Sequence, residues 1–134
     1  METDTQQLCD DLFVLLARLK AAMANFADAH SLTPPQLYAV HAIADGGATM
    51  GQLAAGLHCD ASNVTGIVDR LVAQQLITSQ ESARDRRSKV LALTETGQAI
   101  IQKLTSEMPL CLNWSGLSPA ERAQFHRLLS KLTA

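Results

Sequence analysis

The 134 residues are 47% hydrophobic and 18% charged, with a formal net charge of −2, a balance that excludes a disordered tail and predicts one domain over 1–134 with a single core. No apolar run approaches the roughly 20 residues that a bilayer crossing needs. The acidic start (Glu2, Asp4, Asp10, Asp11) is opposite in charge to a secretory signal, so the expected location is cytoplasmic, with no membrane partner.

In chain order, Leu8, Leu12, Leu15, Leu16, Leu19, Met23 and Phe26 recur at three- and four-residue spacing, which predicts one long amphipathic helix of roughly 25 residues. Three capping boxes then mark helix starts: Thr33-Pro34-Pro35-Gln36, Thr49-Met50-Gly51-Gln52 and Ser118-Pro119-Ala120-Glu121. Each puts a hydroxyl at the N-cap and an amide or carboxylate three residues on, and two have proline at the first helical position. The helix from Thr33 carries Leu37, Val40, His41 and Ile43 and is ended by Asp45-Gly46-Gly47. The helix from Thr49 is brief, with Leu53 and Leu57 inward, and runs into His58-Cys59-Asp60, where Asp60 can cap a fourth helix.

In that fourth helix Val64, Ile67, Val68, Leu71 and Val72 form an apolar stripe, while Ser62, Asn63, Thr65, Gly66, Asp69 and Arg70 form a polar one. Two short helices joined by a tight turn, the second with a face of small hydrogen-bonding side chains, make a helix-turn-helix. Residues 76–80 and 89–93 read as the strands of a hairpin, the wing. Between them Arg84, Asp85, Arg86, Arg87, Ser88 and Lys89 form a cationic run, although residues 1–45 hold six acids and two bases. A fifth helix runs from Thr94 through Ile100, Ile101 and Leu104 until Pro109, and a sixth from Ser118 carries Phe125, Leu128, Leu129 and Leu132.

This order of elements resembles the MarR family of bacterial transcription regulators over nearly the whole chain. The most specific segment is residues 85–97, Asp-Arg-Arg-Ser-Lys-Val-Leu-Ala-Leu-Thr-Glu-Thr-Gly, with support from Leu53-Ala54, from Val68-Asp69-Arg70-Leu71, and from residues 116–122. The resemblance implies a mainly α fold with a small β-hairpin wing: a winged helix-turn-helix region over 33–94, flanked by dimerisation helices over 1–31 and 98–134. It also implies a repressor that binds double-stranded DNA as a homodimer. Apolar stripes at both ends of so short a chain point the same way, and two-fold symmetry calls for a palindromic operator.

Side-chain chemistry assigns the roles. Asn63 is the candidate adenine reader, Thr65 can touch a thymine methyl, and Gly66 permits close approach. Ser62, Arg70 and Thr49 are candidates for phosphate. In the wing, the resemblance makes Arg87 the candidate for the minor groove, with Asp85 holding the turn and Arg84, Arg86 and Lys89 at the backbone. His30, Tyr38 and His41 are candidates for lining an effector pocket, since family members bind phenolic or other small effectors; packing explains them equally well.

Three widely spaced cysteines, Cys9, Cys59 and Cys111, fit neither a disulfide framework nor a four-ligand zinc site. Gln7-Leu8-Cys9 resembles the start of the peroxide-sensing OhrR branch, which implies an oxidisable Cys9 and leaves Cys111 as a second thiol. That branch surrounds its sulfur with tyrosines, whereas Phe13, Met23 and Pro34 stand at the comparable places here, and Asp10 and Asp11 disfavour a thiolate. No cofactor or metal is expected, because the adjacent His58, Cys59 and Asp60 cannot all face one ion. No phosphate loop, nucleophile elbow or carboxylate pair suggests an enzyme. The alternative is a winged-helix module that binds protein instead of DNA.

Overall fold

The computed structural model describes residues 3–84 and 88–134. Helix α1 spans Thr5–Ala29, α2 Pro34–Ile43, α3 Met50–Leu57, α4 Ala61–Ala73, α5 Glu95–Glu107 and α6 Pro119–Leu132; strands are β1 Ala48–Thr49, β2 Ile77–Glu81 and β3 Lys89–Leu93. Two short 3₁₀ turns, Met108–Cys111 and Trp114–Gly116, join α5 to α6.

Local chemistry explains the helix starts. All three capping boxes form, with Thr33, Thr49 and Ser118 each accepting from the backbone N–H three residues on, and with Gln36, Gln52 and Glu121 accepting in return. Asp60 caps α4 and Thr94 caps α5 in the same way, from one side only. After α2 the chain turns through Gly46 and Gly47 at φ 84° and 90°, a region that costs glycine little. A side chain at Gly47 would also crowd the Leu91 carbonyl.

That turn delivers β1 to the sheet, whose order is β1-β3-β2, all antiparallel. Ala48 faces Leu91, and Ile77 faces Leu93. The sequence predicts only the hairpin; β1 is an addition, because a two-residue strand carries no periodicity and exists only through its pairing with β3.

The core lies under α2, α3, α4 and the sheet. Leu37, Val40, Ile43, Leu53, Val64, Leu71, Ile77 and Leu91 are fully buried, each stabilising the fold by about 1.5–3 kcal/mol through lost apolar exposure. Val72, expected on the apolar stripe of α4, is 41% exposed. The helix touches the core through positions 64, 68 and 71, and Val72 has rotated past that line toward the wing.

The two ends of the chain are different. Only Phe26 and Ala27 of the 25 residues of α1 are buried, and no residue of α6 is. Leu8, Leu12, Phe13 and Leu16 on α1, and Leu128, Leu129 and Leu132 on α6, lie exposed. None of the described helices is long and apolar enough to cross a membrane.

Candidate nucleic-acid interface

The site is built on the turn between α3 and α4. Helix α3 stops at His58, which takes the left-handed conformation (φ 52°), and the Cys59 backbone N–H returns to the Ala54 carbonyl. Cys59 packs against the core while its thiol donates to the Leu57 carbonyl at 3.4 Å. Asp60 then starts α4: one carboxylate oxygen accepts from the Asn63 backbone N–H at 2.9 Å and from the Ser62 hydroxyl at 2.8 Å. These two donors, the amide first, hold the Asp60 carboxyl below its ordinary value.

With Val64, Val68 and Leu71 buried beneath it, α4 presents Ser62, Asn63, Thr65, Gly66, Asp69 and Arg70 outward, all exposed. This is the polar face expected from the sequence. Ser62, expected at a phosphate, directs its hydroxyl proton at Asp60 in this conformation. The Asn63 side chain stands on the first turn of the helix, and the backbone N–H that it shares with the cap leaves its amide group uninvolved in that bond.

A cleft of about 740 Å³ separates α4 from the wing, lined among others by Thr49, Thr65, Asp69, Val72, Gln80 and Lys89. Thr49 stands at its edge as the cap of α3, its hydroxyl oxygen accepting from Gln52 at 3.1 Å. Two acids, Asp69 and Glu81, also line the cleft; Glu81 went unnoticed in the sequence because only strand pairing, Glu81 opposite Lys89, brings it there. The wing closes with the Ser82 N–H on the Ser88 carbonyl at 2.8 Å, and the Arg84 N–H donates to the Ser82 hydroxyl oxygen at 3.2 Å. Arg84 and Lys89 are exposed, whereas Asp85, Arg86 and Arg87 lie outside the described residues.

A second cavity, of about 520 Å³, sits where α1, α2, α3 and α5 meet, lined by Met23, Tyr38, His41, Leu57, Leu104 and Met108 among others. It unites two of the three residues expected to line an effector pocket. His30 is not in its lining: the imidazole Nδ1 lies 2.8 Å from the Phe26 carbonyl and the ring stacks on Phe26 with centroids 4.2 Å apart, so it belongs to the end of α1.

A third hollow, about 640 Å³ and almost wholly apolar, runs between α1 and α6, with Leu12, Leu16, Leu19, Trp114, Phe125 and Leu129 in its walls. Cys9 is exposed on its rim, and Cys111 is half-buried in the 3₁₀ turn outside that lining. All three cysteines are free thiols. Among the described residues, no three His, Cys, Asp or Glu side chains converge as a metal site would require.

A helix-turn-helix with an exposed polar second helix, flanked by an antiparallel hairpin, makes this chain a winged helix-turn-helix protein. Residues 30–88 match the sequence profile of the MarR family. It is 34% identical over 83 residues to the transcriptional repressor MprA of Escherichia coli K12, a stretch that is 60% of this chain and 47% of MprA, so the match spans about half of that relative. The fold is similar to that of a mutant of MepR from a multidrug-resistant S. aureus clinical isolate (TM-score 0.80, 24% identity, 99% of this chain and 97% of that one). It is also similar to BpsR of Bordetella bronchiseptica, whose DNA binding is regulated by 6-hydroxynicotinic acid (TM-score 0.72, 24% identity, 99% and 97% covered).

Proposed function

We propose that the chain is a cytoplasmic DNA-binding transcriptional regulator, a repressor, that reads a palindromic operator as a homodimer. The observation that carries this reading is the exposed polar face of α4 standing beside a cleft and a hairpin that bears Arg84 and Lys89, while its opposite face is locked in the core. A rigidly seated helix with small polar side chains outward is what direct reading of base edges in a major groove requires.

In this reading Asn63 pairs with adenine, Thr65 and Gly66 meet the groove floor, and Arg70, Thr49 and a reoriented Ser62 hold phosphates. Arg84, Arg86 and Lys89 follow the backbone, and Arg87 enters the minor groove with Asp85 bracing the turn. Asp69 and Glu81 keep the cleft between helix and wing from closing on the phosphates indiscriminately, since like charge there repels any backbone not held by the flanking cations.

The second copy covers the apolar surfaces of α1 and α6. Residues 1–31 and 98–134 are therefore the dimerisation helices, and 33–94 the reading unit. Exposed leucines on two helices that contribute almost nothing to the core support this, because contiguous apolar surface of that kind marks an interface. A small effector that releases DNA enters the cavity bounded by Tyr38 and His41, whose phenol, imidazole and methionine-rich walls suit a planar aromatic with a polar group. Oxidation of Cys9, with Cys111 as second thiol, is the other route to release.

The test is selection of binding sites from random duplex DNA at two salt concentrations, with and without peroxide. Enrichment of an inverted repeat whose log affinity falls linearly with log salt, by about 0.9 per phosphate contacted, is the expected result. No enrichment under any condition would transfer the reading to a protein-binding winged helix. Release by peroxide from the wild type but not from Cys9→Ser assigns the sensor; equal release from both removes Cys9 from it.

A further inference from the structure

The exit of α4 is held from two directions by bonds that span long stretches of sequence. On one side, the Gln74 side-chain amide donates to the Ser31 carbonyl at 3.1 Å, across 43 residues. On the other, the Thr94 hydroxyl donates to the Gln75 carbonyl at 2.7 Å, and the Thr94 N–H donates to the Leu76 carbonyl at 3.0 Å. Ser31 follows the last turn of α1, and Thr94 caps α5. The helix is thus tied at one end to the two helices that lead into the outer region, and its reading residues stand at the other end.

Each tie is anchored on stiff backbone. Ser31 is left-handed (φ 57°), a conformation that turns its carbonyl away from α1. It is fixed by its neighbours: the Leu32 N–H returns to the Ala27 carbonyl at 2.8 Å, Leu32 is buried, and His30 is stacked on Phe26. Gln74 is the C-cap of α4, and Gln75 after it is again left-handed (φ 61°).

We infer that Gln74 is a positioning residue that sets the angle of the recognition helix against α1, and through it the half-site spacing that a dimer accepts. This rests on the reading of the chain as a dimeric DNA reader. The lever is large. Helix α4 has 13 residues, about 20 Å at 1.5 Å each, so a tilt of about 10° at its exit moves its entry by about 3 Å. One base pair of spacing is about 3.4 Å, accompanied by about 35° of rotation around the duplex. A helix free to tilt by that amount takes up the translational part of a one-base-pair displacement, though not the rotation, and so loses less affinity to the shift than a tied one.

Both partners are exposed at the surface, so water replaces the lost bond and the fold hardly notices. A spacing change is therefore separable from a stability change. The experiment takes the inverted repeat selected by the full-length wild type and measures affinity for versions with the half-sites moved by one and two base pairs in either direction. For Gln74→Ala the expected result is an unchanged unfolding midpoint and unchanged base preference within each half-site, with affinity for the best spacing held within about twofold. The penalty for a one-base-pair shift falls by about fivefold, the scale of a single lost hydrogen bond of about 1 kcal/mol. Gln74→Glu, similar in shape but unable to donate when ionised, behaves like Gln74→Ala; Gln74→Lys, which donates, restores the wild-type ratio between spacings. A spacing profile for Gln74→Ala that superimposes on the wild type, with binding retained, overturns the inference and leaves the dimeric reader standing. Failure of the wild type to select any inverted repeat overturns both.

Discussion

The α-carbon of Gly97 lies against the carbonyl oxygen of Leu76, so close that a β-carbon on Gly97 would overlap that backbone atom. Gly97 is buried in the first turn of α5, and Leu76 leads into β2, so helix and sheet approach at a distance only glycine allows. Because the obstruction is backbone, no rotamer relieves it. Gly97→Ala is expected to destabilise the protein by about 2–3 kcal/mol, at the upper end of overpacking costs, read from urea unfolding at fixed protein concentration. Loss below about 0.5 kcal/mol would mean that α5 shifts freely.

For Asn63→Ala the expected signature is local: affinity for the selected operator falls by about 1–3 kcal/mol per half-site, and base preference relaxes at one position in each. Competition against single-base variants of the operator measures this. A uniform loss across all positions would instead assign Asn63 to backbone contact.

Lys89→Ala should weaken binding to every sequence alike and flatten the salt dependence by about 0.9 for each phosphate contact removed, twice that for a dimer. Arg87→Ala is expected to cost at least about tenfold in operator affinity, about 1.4 kcal/mol, with oligomeric state and helix content unchanged. Titrations at several salt concentrations separate the two; unchanged affinity for Arg87→Ala would remove the wing from the interface.

Acid should loosen the start of α4. The Asp60 carboxyl is held below its ordinary value by the Asn63 N–H and the Ser62 hydroxyl, so its folded form favours the charged state. Such a group contributes stability above the unfolded-state value of about 3.9, and that contribution disappears as the pH falls through the lower folded value. Asp60→Asn keeps a cap without the titration. The difference in stability between wild type and Asp60→Asn should stay constant from neutral pH down to about pH 5 and change only at lower pH. A difference that varies between pH 6 and 8 would place its origin elsewhere.

Leu12→Asp puts a charge into the hollow between α1 and α6. Sedimentation should show a shift toward monomer, and operator binding should fall with it, because a single recognition helix loses the second half-site. A dimer that persists would relocate the interface.

Much of this was legible because it is local. A capping box needs residues three apart, so Thr33, Thr49 and Ser118 announced their helices, and the 3.6-residue period of Val64, Val68 and Leu71 announced the buried side of α4. What escaped depends on partners far along the chain. Strand β1 exists because Ala48 meets Leu91; Val72 left the stripe because the core beneath α4 is narrower than its apolar face; Gln74 and Ser31 are neighbours only after folding. Of the two uses the sequence leaves open for His30, effector lining or packing, the structure shows the imidazole stacked on Phe26, four residues away. The polar residues of α4 emerge as one exposed face from their period alone.

Helix α6 has 14 residues and buries none of them, which puts it at a length where a helix left to itself is only partly formed in water. Its Ser118 capping box steadies the first turn, and the rest waits for a neighbour. If that neighbour is a second copy, mass action governs the order of this segment: dilution through the dimer's dissociation constant should lower helix content and melting temperature together, down to the values of the single chain. The number of molecules in the cell then acts as an input in its own right, deciding how much of the population is folded well enough to hold DNA.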